Sequence, residues 1–466
     1  MNPAIYPWAG SALLTSLAAT ALAEAFQVPY VRGVAIVALL IGIALLVPSL
    51  PRAGKVFAGT ALGLAVVTWF VASDPGSIIM TALSRGTVFA GLMTSLAFLR
   101  EGAGNSSLVR ACGTHMISQP PKLRYAALAI GGHLFGLILN LGALVMLATM
   151  IMRGQTGTLD SRLTELRRRR ALTAMLRGFG TCSTWSPMAI TPTVVLSTLP
   201  MLRWSEILPY ALALMAMFLV IGWIFDGFET RDLVRQVQGA PREPPPVGGW
   251  GQQLALVALV GVILAVVIGV EYALHASVTS AVMLSMPPVG IAWMAFQGRR
   301  RPGAKLVLRR LKRLALLRLP KESLETVMFA SSGMIGIMLA SIIEPAWIIG
   351  ATRYIPAAVV PVLVFWAVLA CGQLGVSPVI SVTVIGGALG APGVLAVSPL
   401  ALAAALTAGW SLTVAWSPFT GSVLTVSRIS GWPANVIGRG WNGNYSLASV
   451  GAATLFVAAI AMFKAP

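Results

Sequence analysis

Long apolar stretches separated by short polar loops follow one another along this 466-residue sequence. A helix that crosses the hydrocarbon core of a bilayer needs about 20 mostly apolar residues. Only 10% of the residues are charged, against about 25% in an average soluble domain, which is too few to cover a soluble surface. The sequence therefore predicts an all-α polytopic membrane protein. Its uninterrupted candidate spans are 9–27, 32–49, 57–73, 86–99, 205–226, 251–273, 275–297, 325–348 and 443–463.

Four further apolar stretches carry Gly, Pro, Asn or Ser near their middle, and these residues interrupt a helix. Stretches 125–152 and 355–390 are predicted to be re-entrant hairpins, whereas 171–200 and 397–428 are predicted to be broken helices. Added to the uninterrupted spans, the two broken helices bring the expected total to about 11 transmembrane helices plus two hairpins.

The interrupted stretches repeat at nearly constant spacing. The tripeptide Trp-Ser-Pro occurs at 185–187 and again at 416–418, in the middle of each broken helix. The centres of the two hairpins, near Asn140 and Ser377, are separated by almost the same interval, which is half the length of the chain. Two pairs of broken segments in the same order indicate an internal duplication.

The charges indicate how the chain is oriented. The net charge is +19, from 33 Lys and Arg against 14 Asp and Glu, and basic residues collect in cytoplasmic loops of membrane proteins. Both flanks of hairpin 125–152 are basic, so this hairpin is predicted to open to the cytoplasm, with the N-terminus cytoplasmic and the C-terminus outside. All but six basic residues, including those of the loop 298–321, then fall on the cytoplasmic side. The excess of positive charge is thus explained by topology, and a nucleic-acid partner is not expected. The exceptions are Arg32, Arg85, Arg203, Arg353 and Lys464, which are external, and Arg177, which lies within a span.

This topology divides the chain into four segments. Residues 1–85 are predicted to form N-terminal scaffold helices, 86–226 a first repeat, 227–324 a linker with two helices and a basic cytoplasmic loop, and 325–466 a second repeat. The hairpin is inner in the first repeat and outer in the second. Such an inverted-topology repeat is typical of secondary transporters.

Hairpin tips and helix breaks are predicted to meet near the membrane midplane, where transporters bind their substrates. Helix N-termini there favour anions, and hydroxyl and amide groups can both donate and accept hydrogen bonds. A Na⁺ ion is a candidate ligand of Asn140 and Ser377. Instead of binding substrate, each hydroxyl could bond to its own helix backbone, and each tryptophan could only pack beside its break. The predicted substrate-binding residues are Asn140, Gly142, Ser183, Thr184, Trp185, Ser186, Pro187, Ser377, Pro378, Thr413, Trp416, Ser417, Pro418 and Thr420.

Three other polar side chains lie within the interrupted stretches. His133 is predicted either to carry a proton or to hydrogen-bond within its hairpin. Arg177 is expected to pair with an anionic substrate or to extend toward the cytoplasm, and Gln373 occupies a similar place before the second tip.

Other chemistries find little support in the sequence. There is no phosphate-binding GxxxxGK[ST] loop, no zinc-type cluster and no paired cysteine spacing, so no cofactor is expected. A secondary active transporter of a small, carboxylate-type anion, coupled to Na⁺ or H⁺, is the leading hypothesis. A passive channel with the same core is the alternative, and a membrane-embedded enzyme is a weaker one because the core lacks an acid/base pair. The Leu- and Arg-rich loop 299–321 is expected to form an amphipathic helix on the inner leaflet.

The order of elements resembles the ion transporter superfamily of divalent anion/sodium symporters, arsenite permeases and C4-dicarboxylate carriers. Asn140-Leu141-Gly142 and Val376-Ser377-Pro378 stand where the hairpin tips of that superfamily fall. The stretch 183–187, Ser-Thr-Trp-Ser-Pro, resembles a segment of the dicarboxylate-carrier branch. This resemblance implies a site built from tips and breaks, a homodimer and an elevator-type motion in a bacterial inner membrane.

Overall fold

The computed structural model describes residues 6–154, 161–229, 248–298, 303–352, 354–390 and 397–463. Within these ranges the chain is mostly helical and has no β-strand. Eleven of the described helices are long and apolar enough to cross a membrane. The prediction of an all-α polytopic membrane protein is confirmed.

Ten α-helices lie within the described residues of the first half. The predicted inner hairpin is formed by α6 and α7, which meet at the single residue Asn140, and the first broken helix is formed by α8 and α9. Their bounds are α1 Tyr6–Phe26, α2 Pro29–Leu46, α3 Arg52–Val71, α4 Pro75–Gly104, α5 Ser107–Ile117, α6 Pro121–Leu139, α7 Leu141–Gly154, α8 Ser161–Trp185, α9 Ile190–Thr198 and α10 Trp204–Glu229.

The described residues of the second half repeat this pattern after the helices α11, α12 and α13. The predicted outer hairpin is formed by α16 and α17, and the second broken helix by α18 and α19. The bounds are α11 Trp250–Leu274, α12 Val278–Gln297, α13 Gly303–Arg313, α14 Ser323–Ile342, α15 Pro345–Thr352, α16 Val360–Gln373, α17 Pro378–Leu389, α18 Pro399–Trp416, α19 Gly421–Ser430 and α20 Asn442–Phe463.

Prolines and polar caps set many of these boundaries. Proline lacks the N–H that a first helical turn does not use, so it is favoured at the start of a helix. Side chains of Asp74, Ser106 and Ser277 cap α4, α5 and α12 by accepting bonds from backbone N–H groups of the first turn. The helices that begin at a proline are α2, α4, α6, α15, α17 and α18.

Some predicted boundaries were wrong. The span 325–348 is not continuous, because α14 ends at Ile342 and a short helix restarts at Pro345, whose ring cannot continue the preceding helix. The span 86–99 belongs to a 30-residue helix, α4. The eleven span candidates also include α6, predicted as half of a hairpin, and omit α8, whose first turns carry Arg167 to Arg170. The predicted loop 227–250 falls largely outside the described residues.

Two hydrophobic cores hold the helices together. The larger core is built by the two hairpins and the two broken helices, together with α4, α5, α10, α11, α12 and α20. A smaller core joins α1 and α2 to α4, α12, α14 and the segment that follows α13. The interrupted segments therefore share one packing unit, with the first helices packed beside it.

Candidate functional site: two hairpin tips and two helix breaks

The first break is a serine turn between α8 and α9. The Ser186 Oγ accepts a bond from the Met188 backbone N–H at 3.2 Å, and the Ser186 carbonyl accepts one from Ala189 at 2.9 Å. Ser186 and Pro187 are both buried. Pro187 has no N–H to donate. The serine side chain therefore bonds the next backbone N–H, that of Met188, which the interrupted helix leaves without a partner.

The second break has the same geometry. The Ser417 Oγ accepts a bond from the Phe419 backbone N–H at 3.2 Å, and the Ser417 carbonyl accepts one from Thr420 at 3.4 Å. Ser417 also donates to the Gly372 carbonyl at the end of α16, at 2.7 Å. The two Trp-Ser-Pro tripeptides thus form equivalent turns, each beginning at the last residue of a helix.

The two broken helices cross at equivalent positions. Ser411 Oγ on α18 donates to the Gly180 carbonyl on α8 at 2.8 Å, and these residues stand 231 apart, as the two tripeptides do. When a residue contacts the position equivalent to itself, it lies close to a two-fold axis. If the two halves are related by a pseudo-two-fold axis, that axis passes near this crossing.

Each hairpin packs on the broken helix of its own repeat through a glycine. A Cβ on Gly136 of α6 would lie 2.8 Å from Cys182 Sγ, and a Cβ on Gly372 of α16 would overlap Thr413. Cys182 and Thr413 are separated by the same interval as the two tripeptides. Close helix approach at these glycines is thus the same in both halves.

The second arms of the hairpins cross over to the opposite repeat. Helix α7 packs on α19, and α17 packs on α9. At the first tip, a Cβ on Gly421 would lie 3.6 Å from Leu141 Cδ1, whereas at the second tip a Cβ on Gly375 would lie 3.4 Å from the Phe419 ring. Both tips therefore reach the second break.

The two tips present polar side chains that lack a partner within the described ranges. Asn140 is half-buried and has φ 51° and ψ −133°, a backbone conformation that favours glycine. Ser377 is half-buried at the start of α17 and does not cap that helix. No hydrogen bond of the Asn140 amide or the Ser377 hydroxyl is present in the described part of the chain. Gly142 and Pro378, the other predicted tip residues, lie in the first turns of α7 and α17 and are half-buried.

Three of the predicted hydroxyls bond to their own helix. Ser183, Thr184 and Thr413 are buried and donate to carbonyls three or four residues earlier, at 2.7–2.8 Å. Thr420 is half-buried and donates to the Ser417 carbonyl at 2.9 Å. Trp185 and Trp416 are half-buried at the ends of α8 and α18, and Pro418 is buried in the second break.

His133 connects the first hairpin to the first broken helix. Its Nδ1 lies 2.9 Å from Thr181 Oγ1, and its Nε2 accepts a bond from the Trp185 indole N–H at 3.3 Å. Thr181 already donates its own proton to the Gly178 carbonyl, so it accepts from Nδ1–H. Because Nε2 needs its lone pair for the indole, these bonds hold the imidazole neutral.

Arg177 is buried in a network on α8, about two turns before the first break. Its guanidinium contacts both Glu229 carboxylate oxygens at 3.1 and 3.2 Å, donates to Asn442 at 3.0 Å, and lies over the Tyr445 ring at 4.7 Å. Two such partners and a ring contact satisfy most of a buried guanidinium. Gln373, which was singled out in the sequence together with His133 and Arg177, accepts a bond from Arg439 Nε at 3.0 Å.

Sequence reasoning missed several residues around the site. Trp204, at the start of α10, covers the first break by donating its indole N–H to the Trp185 carbonyl at 2.9 Å. Ser411 could have been found by adding the repeat spacing to Gly180. A polar cavity of about 140 Å³ beside Arg170 and Asp226, which form a bidentate ion pair, gave no signal in the sequence. The described residues include no group of His, Cys, Asp or Glu that could hold a metal ion.

Comparison with known proteins bears on the fold. No protein-family model and no curated protein matches this sequence. The solved structure of the YdaH transporter from Alcanivorax borkumensis is 15% identical, with a TM-score of 0.56 over 89% of this chain and 100% of that chain. MtrF of Neisseria gonorrhoeae, described as illuminating a class of antimetabolite efflux pumps, is 14% identical, with a TM-score of 0.51 over 91% of this chain and 98% of that chain.

Together with the apolar helices, these similarities define the class of protein. The chain is an integral membrane protein with a transporter fold. At this level of identity the likeness concerns the fold alone.

Proposed function

We propose that this protein is a secondary active transporter that moves a small, carboxylate-type anion by alternating access, coupled to Na⁺ or H⁺. The observation that carries the proposal is a pair of equivalent helix breaks, the second of which is reached by both hairpin tips. The tip side chains Asn140 and Ser377 are half-buried and unbonded within the described ranges. Interrupted helices persist at membrane depth only inside protein or beside a water-filled cavity.

An anionic solute is supported by the helix ends. Helices α7, α9, α17 and α19 each begin at a tip or a break, and a helix N-terminus carries partial positive charge and free N–H groups. No Asp, Glu, Lys, Arg or His occurs between Tyr354 and Ser427. Backbone dipoles and hydroxyls are then the polar groups that this part of the core offers to a carboxylate.

The resemblance to the ion transporter superfamily supports the same reading. We infer that the two repeats are inverted, with the N-terminus in the cytoplasm, and that the protein works as a homodimer. Because MtrF is described as one of a class of antimetabolite efflux pumps, transport assays should include export as well as uptake.

Transport can be tested with protein reconstituted into proteoliposomes and a screen of small carboxylates, under a Na⁺ gradient, a pH gradient or neither. We expect one gradient to drive solute accumulation. Asn140→Gly removes the tip amide and suits the backbone conformation, so transport should fall roughly tenfold or more through loss of one buried polar contact. His275→Gly, which also replaces a side chain at positive φ (49°) but in the loop before α12, should leave transport unchanged.

The second tip has its own matched pair. Ser377→Ala should reduce transport, whereas Ser398→Ala, at another Ser-Pro helix start without a side-chain cap bond, should not. Equal effects of test and control variants would contradict the proposed site. A current that follows voltage and needs no Na⁺ or pH gradient would contradict coupled transport and support a passive channel.

A further inference from the structure

Helix α13 is an exposed amphipathic helix next to a candidate membrane span. None of its residues is buried. It begins six residues after α12, an apolar helix long enough to cross a membrane, so it lies close to the membrane surface. Arg310 donates to Gln297 at 2.8 Å, and Arg318, beyond the end of α13, pairs with Glu101 at 2.8 Å. These bonds hold α13 against the end of α12 and against α4.

An open apolar hollow of about 580 Å³ separates α12 from α13. None of the side chains that line it is charged. On α13 the lining side chains recur at the spacing of one helix face, and Leu308 among them is 55% exposed. The lining residues are Ala295, Gly298, Gly303, Ala304, Val307, Leu308 and Leu311.

A basic stripe runs beside this apolar face. Lys305, Arg309 and Lys312 each follow a lining residue by one position, which places them about 100° farther around the helix. All three are exposed, and within the described ranges none forms an ion pair or a side-chain hydrogen bond. In contrast, Arg310 and Arg313 interact electrostatically with Glu101. Three cations therefore remain without a counter-charge beside an apolar hollow.

We propose that this hollow and stripe bind an anionic phospholipid, with an acyl chain in the hollow and the headgroup phosphate against Lys305, Arg309 and Lys312. Basic residues at a membrane surface attract anionic lipid, and an amphipathic helix buries its apolar face at the acyl boundary. A zwitterionic lipid would leave the three positive charges without compensation. The site does not depend on which solute the transporter carries.

Native mass spectrometry of the full chain in detergent, titrated with dioleoyl phosphatidylglycerol, tests the proposal. We expect binding that the triple variant K305Q/R309Q/K312Q weakens by roughly tenfold or more, because it removes all three charges that face the phosphate. The matched triple variant R52Q/K55Q/K122Q removes three exposed charges elsewhere and should change affinity less than about twofold. K305R/K312R keeps the charges and should retain binding, which controls for damage to α13.

Further measurements distinguish the contribution of the acyl chain from that of the headgroup phosphate. Leu308→Gln should weaken phosphatidylglycerol binding through the acyl chain. Glycerophosphate and inorganic phosphate should not compete at equimolar concentration, and dioleoyl phosphatidylcholine should bind at least several-fold more weakly. Competition by phosphate alone, equal binding of the zwitterionic lipid, or equal losses in the two triple variants would each overturn the proposal.

Discussion

The two helix breaks have the same backbone turn but different surroundings. Met188 and Phe419 occupy equivalent positions, each directly after a Ser-Pro pair, yet Met188 is 3% exposed and Phe419 is 57% exposed. The first break is covered by Trp204 and bonded to His133 of the first hairpin through Trp185. The second break is bonded to its hairpin through Ser417, and its phenylalanine side chain stays open.

This difference separates two levels of structure. The serine turn depends on residues within three positions of the proline, so both halves form it. The covering of the first break depends on Trp204 of α10 and on helix α6 of the first hairpin, which come from other parts of the chain. In the proposed alternating-access cycle, a protein that faces only one side of the membrane would have one break covered and the other open, as this structure has.

The glycines at the hairpin contacts allow the largest test of the equivalence of the halves. A Cβ on Gly178 would overlap the Ala129 backbone carbonyl, which cannot move aside. A Cβ on Gly409 would be less crowded, at 2.9 Å from Val368 Cβ and Cγ1 and 3.2 Å from the Phe365 carbonyl oxygen. Gly178→Ala should lower the free energy of unfolding by about 3 kcal/mol or more, and Gly409→Ala by about 1 kcal/mol. Thermal unfolding in detergent measures both, and a larger effect at Gly409 would contradict the asymmetry.

Met188→Ala and Phe419→Ala test the difference in cover directly. Removing the buried Met188 side chain should cost about 2–4 kcal/mol through lost packing and a residual cavity. Removing the exposed Phe419 ring should change stability by less than about 1 kcal/mol. Paired melting curves give the comparison, and equal shifts would mean that the second break is covered in solution.

The smallest expected effect concerns the bond between His133 and the first break. His133→Ala leaves the indole N–H of the half-buried Trp185 without its acceptor, so we expect a loss of about 1–3 kcal/mol. Gln373→Ala removes a more exposed bond, to Arg439, and should cost less than about 1 kcal/mol. If both variants melt at the same temperature, the two hairpins are attached to their breaks with similar strength.

Much of the fold was predictable because it depends on local sequence. Helix breaks fell at the two Trp-Ser-Pro tripeptides, and the hairpin tips fell at Asn140 and just before Pro378, where Gly, Asn and Pro interrupt the helical pattern. The end of α14 was misplaced because Pro345 was included in an apolar span. The partners of His133 could not be predicted, since Thr181 and Trp185 lie far from it in sequence, on another helix.

The sequence by itself determined an apolar, all-helical chain and the positions of its duplicated breaks, because spans and turns depend on nearby residues. Only the tertiary structure decided that α7 packs on α19 and α17 on α9, that Gly180 meets Ser411, and that one break is covered while its equivalent is open. Those features depend on close packing between segments far apart in the chain, and the shape of each surface is set by all the helices around it.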